Sequence, residues 1–220
     1  YASQKIQVAD LENMTALPVA INTPEKVHGQ AIHPDFTSLY VTQQDRSKLY
    51  KLSFTNPMSP DALDEICLTA NCIPDPRGEM QPHEVAFTPD GSKYLVSCQG
   101  ALINEVRIFN TANDSLLQII PVGNYPSEFA FDPVSGLVFV TCMEDVISFP
   151  SDPNRHGSVA IINYQTNTLV KFLYTGYQPH GIDTDVAGRK VYVTNRNVNP
   201  NGPAPHHTTA CGGRNGYVTA

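Results

Sequence analysis

Four stretches of the chain align with one another without gaps: HGQAIHPDFTSLYVTQ from His28, HEVAFTPDGSKYLVSC from His83, SEFAFDPVSGLVFVTC from Ser127 and HGIDTDVAGRKVYVTN from His180. Their starts lie 55, 44 and 53 residues apart. A unit recurring at such a period cannot bury its apolar surface alone and must stack on its neighbours, so the repeat constrains the fold first. Each copy alternates apolar and polar residues, crosses a tight polar turn such as Pro89-Asp90-Gly91, and continues into a run rich in Val and Tyr. That is the pattern of two antiparallel strands. A third strand follows after a loop (KLYKLSF, NEVRIFNT, GSVAIINY, NGYVTA), then a turn rich in Asn and Thr, and then a fourth strand such as LLQIIPVG or LVKFLYTG. Four antiparallel strands repeating at this period describe one blade of a β-propeller.

Composition agrees. The 18 prolines and 14 glycines are spread along the whole length, which suits many short strands joined by turns better than long helices. With 41% apolar and 16% charged residues, the chain is globular, not disordered. No stretch approaches the roughly eighteen apolar residues of a membrane helix. A net charge of −7 with no basic run argues against nucleic acid as a partner, since phosphate binding needs a concentrated Lys/Arg face.

The segment VYVTN at Val191–Asn195, with its degenerate copies LYVTQ, YLVSC and VFVTC, resembles the YVTN-repeat β-propeller family. The resemblance runs from about Lys5 to Ala220. It implies an all-β fold built of four-stranded antiparallel blades, and implies little about function, because such blades scaffold unrelated tasks. The whole chain, 1–220, reads as a single propeller domain: a half blade at 1–27, full blades at 28–82, 83–126 and 127–179, and a truncated blade at 180–220. Since the family closes a ring of about seven blades, the chain is expected to be a fragment of such a ring. Its open sides would need the remainder of the propeller or a protein partner.

Three insertions fall on one expected rim: Thr69–Pro82, Met143–Arg155 and Arg196–Arg214. Loops on a rigid scaffold carry function, so this rim is the expected working face. The histidines follow it. His28, His83 and His180 occupy the same first position of three copies, His156 ends the second insertion, and His206, His207 and Cys211 lie in the third. Neutral imidazole is the commonest transition-metal ligand, and a thiolate adds softness that suits copper or zinc. The candidate metal ligands are therefore His28, His83, His180, His206, His207 and Cys211, with copper the favoured ion. His156 and Arg214 are candidates for contacting another ligand. The structural alternative is that each histidine hydrogen-bonds a neighbouring blade with its ring nitrogens.

Cys67 and Cys72, close in sequence, are expected to form a disulfide, which would place the protein in an oxidising compartment, periplasm or cell surface. Cys98 and Cys142 occupy equivalent places in adjacent copies, too far apart to pair, and read as small buried apolar side chains. No His-Glu-x-x-His, Cys-x-x-Cys or haem-attachment motif is present, so no ready-made metal or haem site is encoded locally. Two functions stay open: an extracytoplasmic binding module whose His-rich rim holds a ligand, metal ion or partner protein, and a copper- or haem-dependent oxidoreductase.

Overall fold

The computed structural model describes residues 3–56, 61–152, 156–197 and 216–220. Their regular structure is all β, apart from one 3₁₀ turn at Ala70–Cys72. Strands β1 (Ser3–Asp10) and β2 (Thr15–Val27) pair as a two-stranded sheet. β3 (Gln30–Ile32), β4 (Ser38–Gln43), β5 (Lys48–Ser53) and β6 (Ala62–Cys67) form a four-stranded blade in chain order. So do β7 (Pro82–Phe87), β8 (Lys93–Gly100), β9 (Ile103–Asn110) and β10 (Leu116–Pro121), and likewise β11 (Asn124–Asp132), β12 (Leu137–Glu144), β13 (Ser158–Asn163) and β14 (Thr168–Tyr174). The last sheet holds β15 (Tyr177–Asp185), β16 (Lys190–Asn197) and β17 (Tyr217–Thr219). The first strands of the last three sheets begin one to three residues ahead of the repeat position at His83, Ser127 and His180.

Period-two alternation sends successive side chains of a strand into the two gaps flanking its blade. Tyr94, Val96 and Cys98 join Tyr40, Leu49, Phe87 and Phe109 in one core cluster, whereas Leu95 joins Val106, Val138, Val140 and Ala160 in the next. Two smaller clusters fill the outer gaps, one around Ile6, Ile21, Val41 and Leu52, the other around Phe139, Val159, Ile161 and Val193. The three four-stranded blades are thus glued to neighbours on both faces, and their second strands β4, β8 and β12 are mostly buried. The fourth strands β10 and β14 are mostly exposed.

The last sheet lacks a neighbour on one side among the described residues. Tyr192 is 40% exposed, while Tyr40, Leu95 and Phe139, at the same repeat position, are 0%, 0% and 8% exposed. No helix of the described residues is long and apolar enough to cross a membrane.

Candidate metal centre

The first strands touch one another from blade to blade, β3 with β7, β7 with β11 and β11 with β15, so they line the axis around which the blades are arranged. The repeat position at their start is pinned there by a hydroxyl. Thr42 Oγ1 accepts the Gly29 amide at 2.7 Å and donates to the His83 carbonyl at 3.0 Å, one blade on.

In a regular strand His83 and Glu84 would point to opposite faces. The pairing of β7 with β8 instead shifts register between Pro82 and Val85, and such a bulge can turn two successive residues toward one side. The same shift recurs between Pro126 and Phe129 and between Pro179 and Ile182. Each bulge follows a residue with positive φ: Gln81 at 45°, Tyr125 at 55° and Gln178 at 49°.

Ligand atoms of His28, His83 and Glu84 all lie within 4.8 Å of one another. The His28 and His83 rings stand 4.3 Å apart, centroid to centroid, tilted by 46°. His28 Nδ1 lies 3.1 Å from the His83 carbonyl. A carbonyl can only accept, so Nδ1 carries the proton. His83 is fully buried. Glu84 is pushed up to about 7, first by burial and then by repulsion from Glu128, itself raised by burial. Gly29 makes room: a Cβ there would sit 2.7 Å from Glu84 Oε2 and 2.4 Å from the His83 carbonyl.

His180 reaches the same region from two blades away. Its ring lies edge-on to His83 with centroids 5.9 Å apart, and its Nδ1 is 3.6 Å from Glu128 Oε1. The intervening blade carries Ser127 at the repeat position, a small side chain that accepts from Gln99 Nε2 at 3.2 Å and donates to the Tyr125 carbonyl at 3.3 Å.

His156 goes elsewhere. Its Nδ1 bonds Asp152 Oδ2 at 2.6 Å, the Tyr174 hydroxyl donates to the same oxygen at 3.0 Å, and its ring stacks on Tyr177 at 3.9 Å. These contacts tie its loop to the start of the next blade. His206, His207, Cys211 and Arg214 lie outside the described residues.

Cys67 and Cys72 are bonded, with Cα atoms 5.1 Å apart. The segment after the bridge is tied to the next blade by an ion network. Asp75 and Glu105 both face Arg77 and Arg107, and Arg107 also donates to the Leu68 carbonyl. Side-chain hydrogen bonding by Arg77 is the main cause holding Asp75 down to about 2. Cys98 and Cys142 are free and buried.

Sequence reasoning missed Glu84 and Glu128, because a strict alternation turns them away from the axis. The legible clue was the charge itself: Gly, Glu, Glu and Gly follow the four repeat positions, and a glutamate beside a buried strand start requires a partner.

No protein-family profile matches the chain and no curated protein matches it. Solved structures do. Hydrazine synthase of Kuenenia stuttgartiensis superposes with a TM-score of 0.69 at 16% identity, over 87% of this chain and 49% of that one. The Dos1 propeller gives 0.64 at 13% identity over 88% and 48%. The periplasmic gluconolactonase of Pseudomonas aeruginosa gives 0.61 at 18% identity over 81% and 50%. These likenesses define the class: the chain has the β-propeller fold. It spans about half the length of these structures.

Proposed function

We propose that the chain is a YVTN-type propeller that works outside the cytoplasm, in the periplasm or at the cell surface, as a binding module holding a transition-metal ion on its axis. The single observation that carries this reading is the convergence of His28, His83 and Glu84 within 4.8 Å from two different blades. Two imidazoles and one carboxylate suit zinc, copper or iron(II), and three protein donors leave coordination positions open for a further ligand. The disulfide and the likeness to a periplasmic propeller support the compartment, since such bonds persist under oxidising conditions.

The open coordination positions favour a second reading, a metal-dependent oxidoreductase, in which the bound ion would act on a small ligand at those positions. A haem held between His28 and His83 is the weaker version, because rings 4.3 Å apart leave no room for a porphyrin. The test is metal analysis of the purified full-length protein, followed by titration of the apo form with Zn(II), Cu(II) and Co(II). One ion per chain is expected, lost in His83→Ala and in Glu84→Gln. Full metal content in both variants would end the proposal.

A further inference from the structure

We infer that the cavity between the leading strand pair and the first four-stranded blade is a second binding site, independent of the axial one, for a small amino acid whose side chain ends in a primary amide. The cavity has a volume of about 340 Å³, at the small end of ligand sites, which run from roughly 300 to 1,000 Å³. Strand register builds its wall. Gln43 of β4 stands opposite Lys48 of β5, Lys48 stands opposite Cys67 of β6, and Tyr50 stands opposite Glu65. Period-two alternation puts Lys48 and Tyr50 on one face of β5. That face is turned to the leading strands, since Tyr50 packs with Ile6, Ile21 and Val27. Glu25 reaches the cavity from β2, and Arg46 from the hairpin after β4.

The chemistry of the cavity is sorted by depth. At its floor Gln43 is 1% and Tyr50 0% exposed, yet Gln43 Oε1 and the Tyr50 hydroxyl have no hydrogen-bond partner among the described residues. Buried polar groups in folded proteins are paired, so two orphans in one wall point to a ligand that completes them. The repeat sharpens the point. Cys98 and Cys142 fill the place of Gln43 in the next two blades and need no partner. Asn195 fills it in the last sheet, where its Oδ1 accepts from Thr175 Oγ1 at 3.1 Å and from the Gly176 amide at 3.0 Å. Asn195 thus spends its carbonyl on the chain entering its own sheet, and Gln43 does not. At the mouth Glu65 is held by Lys48 at 2.6 Å, and Glu79 accepts from Ser47 Oγ at 2.9 Å. Arg46 and Glu25 are exposed there, and neither is ion-paired among the described residues. A neutral floor under one uncommitted charge of each sign defines the ligand. Its ammonium faces Glu25, its carboxylate faces Arg46, and its buried end is a neutral group that both donates and accepts. A primary amide does this with two separate atoms, donating to Gln43 Oε1 and accepting from the Tyr50 hydroxyl.

Calorimetric titration of the full-length protein with L-glutamine tests this, with glycine and D-glucose as comparisons. One glutamine should bind per chain, and glycine, which lacks the amide, should bind at least about tenfold more weakly. Gln43→Met keeps the length of the side chain and removes its amide. It should weaken glutamine by about tenfold or more, and it should leave the unliganded melting temperature unchanged or higher, because an orphaned buried group is gone. A purely structural Gln43 would lower that temperature on replacement. Arg46→Ala, at an exposed position, should melt as wild type does and weaken glutamine and glycine alike by about tenfold. The inference is overturned if glutamine at millimolar concentration gives neither heat nor a thermal shift. It is equally overturned if D-glucose binds as tightly as glutamine, or if both variants bind glutamine as wild type does.

Discussion

Thr141 Oγ1 donates to the main-chain carbonyl of His180, 2.7 Å away in the next blade, while accepting the amide of Glu128 in its own blade at 3.2 Å. The same hydroxyl recurs at each repeat. Ser97 accepts the Glu84 amide at 3.0 Å and donates to the Ser127 carbonyl at 2.8 Å, and Thr42 bridges Gly29 and His83 in the same way. This is a physical account of the threonine or serine in the VTQ, VSC and VTC runs. It satisfies two backbone groups near the strand start, at a bulge in the blades of Ser97 and Thr141, and it locks neighbouring blades at the axis. Thr194 has no following blade among the described residues and donates to Gly181 of its own sheet at 3.1 Å.

Thr141→Val should therefore destabilise the protein by about 1–2 kcal/mol, since it strands a half-buried amide and a half-buried carbonyl without changing side-chain shape. Thr194→Val, at an exposed copy of the same position, should stay within about 0.5 kcal/mol. Denaturant midpoints decide between them. Equal costs would mean that the hydroxyl serves its own blade only.

Charge burial between blades gives a second contrast. The side chains of Glu105 and Arg107 are 2% and 3% exposed, whereas Arg77 is 41% exposed. Glu105→Gln leaves Arg107 buried with weakened compensation and should cost about 3 kcal/mol or more. Arg77→Met removes a half-solvated partner and should cost under about 1 kcal/mol. Chemical denaturation at neutral pH reads both, and a larger loss in Arg77→Met would refute this ordering.

The buried thiols set an alkaline limit. Burial pushes Cys98 and Cys142 from 9.0 up to about 12. Between those values the unfolded chain loses these protons while the folded chain keeps them, so the stability they contribute is present below pH 9 and lost as pH rises toward 12. Replacing both with Ala should flatten the fall in stability above pH 9. In the native protein neither thiol should react with a disulfide reagent at pH 8, and both should react in denaturant. Rapid labelling of the native protein would show that the blade gaps open more easily than the packing implies.

The blades were legible because alternation, turns and β-branched runs repeat in register, and each is a local property. The places of His28, His83 and His180 were legible for the same reason: equivalent positions in rotated blades converge on the axis. The carboxylates were hidden by the bulge. A one-residue shift at Pro82/Val85 places Glu84 beside His83, and alternation alone assigns it to the other side. The partner of His156 was hidden for another reason: Asp152 lies four residues before it, in a loop where no periodicity places side chains, and the pair anchors that loop.

Gly29 offers the sharpest test of how the site is built. A methyl group there would fall 2.4 Å from the His83 carbonyl and 2.8 Å from Glu84 Cα, both main-chain atoms that cannot turn aside, as well as against Glu84 Oε2. Gly29→Ala must therefore push the second blade away from the first, moving His83 and Glu84 from His28 together. Gly181 fills the equivalent repeat position in the last blade, where, among the described residues, a methyl would meet only Thr194 Oγ1, at 2.9 Å. That hydroxyl can rotate, so Gly181→Ala is a control for the substitution itself. At free Co(II) a hundredfold above its dissociation constant, wild type should gain about 2.7 kcal/mol of stability from the bound ion. Gly181→Ala should keep that gain. Gly29→Ala should lose most of it and should also be less stable without metal, by about 1–3 kcal/mol from overpacking. Thermal melts with and without Co(II) measure both effects. A Gly29→Ala protein that gained as much from Co(II) as wild type would show that the ion sits somewhere other than between the first two blades.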